Sequence, residues 1–214
     1  MAARAEGAPT SRPAADAPAQ RILAETRRIL SDAKITWYSH KTIVDARSGT
    51  YAVDCSGLVC IILQEVAPQH LQNVPIARGE KRQRAVEFHD AFAAAPTSQP
   101  ATSGWRRIER LADARPGDLL AWRHRTIVPG QNTGHIVVID RPPVDEGHGV
   151  VRVAIIDSTS LLHGEDSRKA GTSGVGRGTM WFHVDVEGRP VAFRWASRTG
   201  RLVQYSIAIG RAVD

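Results

Sequence analysis

Beyond residue 103 the chain passes from helical to strand-like spacing, and this change limits the folds open to it. Leu119-Leu120-Ala121-Trp122 follows the turn Arg115-Pro116-Gly117-Asp118, and His135 to Ile139 is rich in β-branched residues. Val150 to Asp157, Met180 to Val186, Val191 to Trp195 and Val203 to Ile209 continue the series, with turn residues between them. The earlier part reads as helices. Arg21 to Leu30 carries Ile22, Leu23, Ile29 and Leu30 on one stripe. A second helix starts at Cys55 and ends near Val66-Ala67-Pro68. A third, Glu80 to Ala95, places Ala85, Phe88, Phe92 and Ala95 at helical spacing. Helices first and a meander of about six strands after them predict an α+β fold, its helices packed on one face of a mostly antiparallel sheet.

A length of 214 residues suits one domain with a tail. Residues 1–20, rich in Ala and Pro, read as a disordered tail, and 21–214 as the domain. No segment has the apolar length of a membrane span, and Met1 to Gln20 holds no apolar signal core. The net charge of +6 comes from scattered Arg with no nucleic-acid motif, so a nucleic-acid partner is not expected. Cys55 and Cys60 face different sides of one predicted helix, unsuited to a relaxed disulfide or a zinc pair, and Cys60 reads as core filling. The histidines other than His135 show no metal-ligand spacing, and Gly174-Val175-Gly176 does not open a helix after a strand. Neither a metal nor a cofactor is expected.

The chemistry lies in three short stretches. Asp54-Cys55-Ser56-Gly57 opens onto the apolar run Leu58 to Leu63, which puts the Cys55 sulfur at a helix start, where unpaired N–H groups and the macrodipole favour a thiolate. Thr133-Gly134-His135 begins one strand and Asp157 ends another. Cys, then His, then a carboxylate is the chain order of a papain-like thiol hydrolase. In that arrangement Cys55 attacks a carbonyl, His135 handles its proton, and Asp157 holds the imidazole. The N–H groups of Cys55 and Ser56 would face the oxyanion. Gly134 permits close approach of backbone or substrate. Two roles stay open for Asp54, helix cap or partner of a substrate amine, and two for Asp157, triad member or turn cap.

Asp-Cys-Ser-Gly-Leu-Val, Arg-Pro-Gly-Asp-Leu-Leu-Ala-Trp and Gly-His-Ile-Val-Val-Ile together resemble the NlpC-like cysteine peptidases, bacterial cell-wall enzymes of the papain-like superfamily. The resemblance covers roughly Trp37 to Ile209 and implies a papain-like NlpC-type fold. It places Cys55 as nucleophile, His135 as base and Asp157 at a third polar position that varies among members. Tyr38 lies near where the family often has an oxyanion-site tyrosine, though the Gly-Gly pair that usually follows is absent.

The function the resemblance implies is hydrolysis of an amide in a peptidoglycan stem peptide or a related small peptide, in a secreted or periplasmic setting, although no signal peptide is visible. A Cys-His amidase or acyltransferase on another substrate, or an injected wall-degrading effector, is the alternative. Oligomeric state is not legible. The long Gly-containing connection from Ser158 to Gly178 reads either as a lid beside the site or as disordered chain.

Overall fold

The computed structural model describes residues 17–98 and 103–214. In chain order these form α1 (Ala17–Asp32), β1 (Ile35–Tyr38), β2 (Ile43–Asp45), β3 (Thr50–Val53), α2 (Cys55–Val66), α3 (Pro68–Gln72), α4 (Ala85–Ala94) and β4 (Trp105–Ile108). There follow β5 (Leu119–Arg123), β6 (Gly134–Ile139), β7 (Val144–Asp145), β8 (Val150–Thr159), β9 (Gly174–Val184), β10 (Pro190–Arg194), β11 (Leu202–Val203) and β12 (Ser206–Ala212). The architecture is α+β, with few helices and one large antiparallel sheet in the order β11-β10-β9-β8-β6-β5-β12-β4, to which β7 adds beside β8. A small separate sheet, β1-β3-β2, pairs β1 parallel to β3.

Both faces of the large sheet are covered, which explains why β6 is buried throughout and Ile136 to Ile139 run apolar without alternating. On one face Leu119, Ala121, Ile136 and Val138 meet Ile22 and Ile29 of α1, Leu58 and Ile62 of α2, and Phe88 and Phe92 of α4. The opposite face encloses Leu120, Trp122, Val137, Val153, Met180, Phe182 and Phe193. Trp122 on β5 and Phe193 on β10 have β6, β8 and β9 between them in the strand order, yet their ring centroids lie 4.4 Å apart. The sheet therefore curls until its two flanks touch. Each fully buried Leu, Ile or Phe here contributes roughly 1.5–3 kcal/mol.

Several sequence expectations need correction. The large sheet has nine strands, not about six, and β1 to β4 and β7 lie outside the expected series. The helix expected from Glu80 begins only at Ala85, because the Glu87 carboxylate accepts the Arg84 backbone N–H at 2.8 Å and fixes the start there. Helix α1 begins at Ala17, within the segment read as tail, and residues 1–16 lie outside the described residues. The expected connection from Ser158 to Gly178 is shorter, because both its ends are strand. Ser158 and Thr159 still belong to β8, and β9 already runs from Gly174. Only residues 160–173 connect them, and Gly164 bonds back to Thr179 in both directions, at 3.1 and 2.7 Å.

Candidate active site

Helix α2 begins where it does because Asp54 caps it. Its backbone is extended, and its Oδ1 accepts the Gly57 N–H at 2.7 Å. Cys55 is the first helical residue and is buried. The N–H groups of Cys55 and Ser56, in the first turn, stand outside the intrahelical ladder. Asp54 is fully engaged. Arg82 Nη2 donates to both its oxygens at 2.7 and 2.6 Å, while Arg82 Nη1 donates to Ser56 Oγ at 2.6 Å. His40 Nδ1 adds a further contact to Asp54 at 3.1 Å. Of the two roles open to Asp54, the geometry supplies the cap.

His135 is placed by β6. Gly134 just before it has φ +142°, and a Cβ there would lie 1.9 Å from the Trp122 carbonyl oxygen, so only glycine lets β6 start this close to β5. The close approach at Gly134 is thus to backbone. His135 pairs in register with Trp122, and its ring sits against Trp122 and Trp195, with centroids 5.1 and 5.2 Å away.

Asp157 lies on β8, side chain fully buried, and its Oδ2 accepts from His135 Nε2 at 2.6 Å. Asp157 is therefore not a turn cap. With Nε2 committed, the imidazole nitrogen left for Cys55 is Nδ1. Burial alone would push the His135 pKa down. The neighbouring Cys55 sulfur and the bond to Asp157 together carry it up, to about 10. Burial would likewise raise Asp157, but the neighbouring His163 and His135 hold it well below the usual carboxylate range.

Tyr38 ends β1 half-buried beside the nucleophile. Burial, then the Cys55 sulfur and Asp54, push its hydroxyl well above the ordinary tyrosine value, so it remains a proton donor. Its backbone N–H donates to Ser173 Oγ at 3.1 Å, which docks the end of the 160–173 connection against β1.

The structure thus brings Cys55, His135, Asp157, Ser56, Asp54 and Tyr38 into one region, and adds residues that sequence reasoning missed. His163 Nε2 donates to the same Asp157 Oδ2 at 2.8 Å. Arg168 Nη2 stands 3.2 Å from Asp157 Oδ1, near enough for charge attraction though not aligned as a hydrogen bond. Trp195 stacks on His163 with centroids 4.3 Å apart. No local signal marks these three; Arg82 carries none either.

Donor atoms of His135, Asp157 and His163 fall within 4.8 Å of one another, which raises the question of a metal. Ligands around a tetrahedral zinc stand about 3.3 Å apart. The observed 2.6 and 2.8 Å separations are those of shared protons.

A cleft of about 400 Å³ borders Asp54, lined by His40, Lys81, Arg82 and, from the turn before β6, Gln131 and Asn132. Residues 160–173 contribute none of its lining. Among the described residues no helix is long and apolar enough to cross a membrane. No family model matches the chain, and neither a curated protein nor a solved structure does.

Proposed function

We propose that the protein is a thiol hydrolase of papain-like type that cuts an amide bond in a cell-wall stem peptide. The observation that carries this reading is the set of Cys55 at a helix start, His135 close enough for the Cys55 sulfur to raise its pKa, and Asp157 2.6 Å from the imidazole Nε2. The substrate class rests on the resemblance of the three motifs to NlpC-like peptidases.

In the reaction, the Cys55 thiolate adds to the amide carbonyl while His135 is imidazolium. The negative oxygen forms near the free N–H groups of Cys55 and Ser56 and the Tyr38 hydroxyl. Collapse breaks the C–N bond as His135 Nδ1 passes its proton to the leaving amine, leaving a thioester. Water, deprotonated by the now neutral His135, adds to the thioester, and the carboxylate departs as the thiolate returns. Asp157 stays ionised throughout and keeps Nε2 as the protonated nitrogen. The cleft beside Asp54, whose lining includes neither Cys55 nor His135, is the candidate for holding the peptide to one side of the nucleophile. Since Arg82 occupies Asp54, recognition there falls to groups such as Lys81 and Gln131, not to a free aspartate.

The test is amide hydrolysis by Cys55→Ala, His135→Ala and the double variant, each checked for native folding. Both single changes should abolish turnover, and the double should be no worse, because the two residues act as a unit. Independent, multiplying losses would contradict the shared mechanism.

A further inference from the structure

We propose that His163 is a positioning residue for the reaction: it acts through Asp157 and Trp195 to hold His135 in its productive orientation, which makes the 160–173 connection part of the active site. The inference rests on the thiol-hydrolase reading of Cys55 and His135.

Four observations support it. Asp157 Oδ2 receives both imidazoles, from His135 at 2.6 Å and His163 at 2.8 Å, so the second bond fixes which way the carboxylate faces the first ring. The His163 side chain is fully buried, where an imidazole without a purpose would cost desolvation and return nothing. It stacks on Trp195, which in turn meets the edge of His135, so His163 supports His135 by a polar and an apolar route. The space for it is reserved, since a Cβ on Gly178 would lie 2.5 Å from the His163 Cβ.

The backbone around it is braced to the same end. The His163 N–H donates to Asp166 Oδ2 at 2.7 Å. Arg168 grips Asp166 through Nε at 2.8 Å and Nη2 at 2.7 Å, and its Nη1 donates to the Gly174 carbonyl at 2.7 Å. Arg168 also faces the other oxygen of Asp157. The connection closes upon itself with Arg168 turned inward onto the carboxylates of Asp166 and Asp157. A mere surface crossing between β8 and β9 needs none of this.

The experiment compares His163→Phe, which keeps the ring for stacking but loses the donor, with His163→Gln, which donates an N–H from similar reach but cannot stack. Hydrolysis is read as kcat and KM on one peptide, and the protection of the His135 Nε2–H is read by NMR without substrate. His163→Phe should lower kcat about 10- to 100-fold, the worth of one charge-assisted hydrogen bond, with KM nearly unchanged. It should also speed exchange of the His135 ring proton. His163→Gln should recover most of both. Unchanged kcat and unchanged protection in a folded His163→Phe protein would overturn the proposal. So would a His163 Nε2–H in the unmutated protein that exchanges as fast as an exposed one, a result that needs no variant to fold. If the unmutated protein cuts no amide while the NMR results hold, the hydrolase reading fails and the positioning of His135 stands.

Discussion

Ser158 Oγ donates to the Val53 carbonyl oxygen across 2.6 Å, wholly out of solvent. Val53 ends β3 two residues before Cys55, and Ser158 follows Asp157 on β8. One hydrogen bond therefore ties the strand that carries the carboxylate to the chain that delivers the thiol. The two lie 105 residues apart in sequence, and the small sheet that contains β3 meets β8 here. Rigid placement of the nucleophile and its helpers on packed elements is what such chemistry requires.

The two cysteines should differ sharply in reactivity. Burial pushes the Cys60 thiol up to about 11, while Cys55 stands at a helix start with His135 at its sulfur. Iodoacetamide labelling followed by peptide mapping at neutral pH should modify Cys55 well before Cys60. Equal rates would remove the basis for calling Cys55 the nucleophile.

His135 should remain protonated far above the ordinary histidine range of about 6.5, titrating near 10. A folded-state pKa raised above the unfolded one means that its contribution to stability is complete below about 6.5 and fades as pH rises toward about 10. Ring-carbon NMR shifts across pH give the titration directly. In Cys55→Ala the largest raising influence is gone, and the midpoint should fall well below that of the unmutated protein. A midpoint unmoved by the substitution would mean that the sulfur does not face the ring.

Arg82→Ala should destabilise the fold by about 2–3 kcal/mol, because it strands the nearly buried Asp54 carboxylate that caps α2. Chemical denaturation measures this. Arg82→Lys should recover only part, since one ammonium cannot replace donors to Asp54 and Ser56 together. A loss under about 0.5 kcal/mol would show that the pair is only a surface contact.

Three of the four helices, the main strands and the three catalytic candidates were legible because each has a local signature; α3 (Pro68–Gln72), a short turn that begins at a proline, was not. Leu58 to Leu63 reads as buried helix by itself, and His135 to Ile139 as strand. Other parts had no such mark. β1 alternates exposed and partly buried side chains and β2 is exposed throughout, so neither buries an apolar face, and the parallel pairing of β1 with β3 arises only in three dimensions. His163 and Arg168 sit among glycines and charges that resemble a solvated loop; what buries them is the free edge of β9, which no local pattern announces. Arg82 lies 28 residues from Asp54, and an arginine's partner cannot be read from its neighbours.

The most direct test incubates the protein and its Cys55→Ala variant with purified wall fragments and free stem peptides, followed by mass spectrometry. The unmutated protein alone should yield paired products, one with a new carboxylate and one with a new amine, whose masses together exceed the substrate by one water. Fragments left intact by the unmutated protein, or cut equally well by Cys55→Ala, would contradict it.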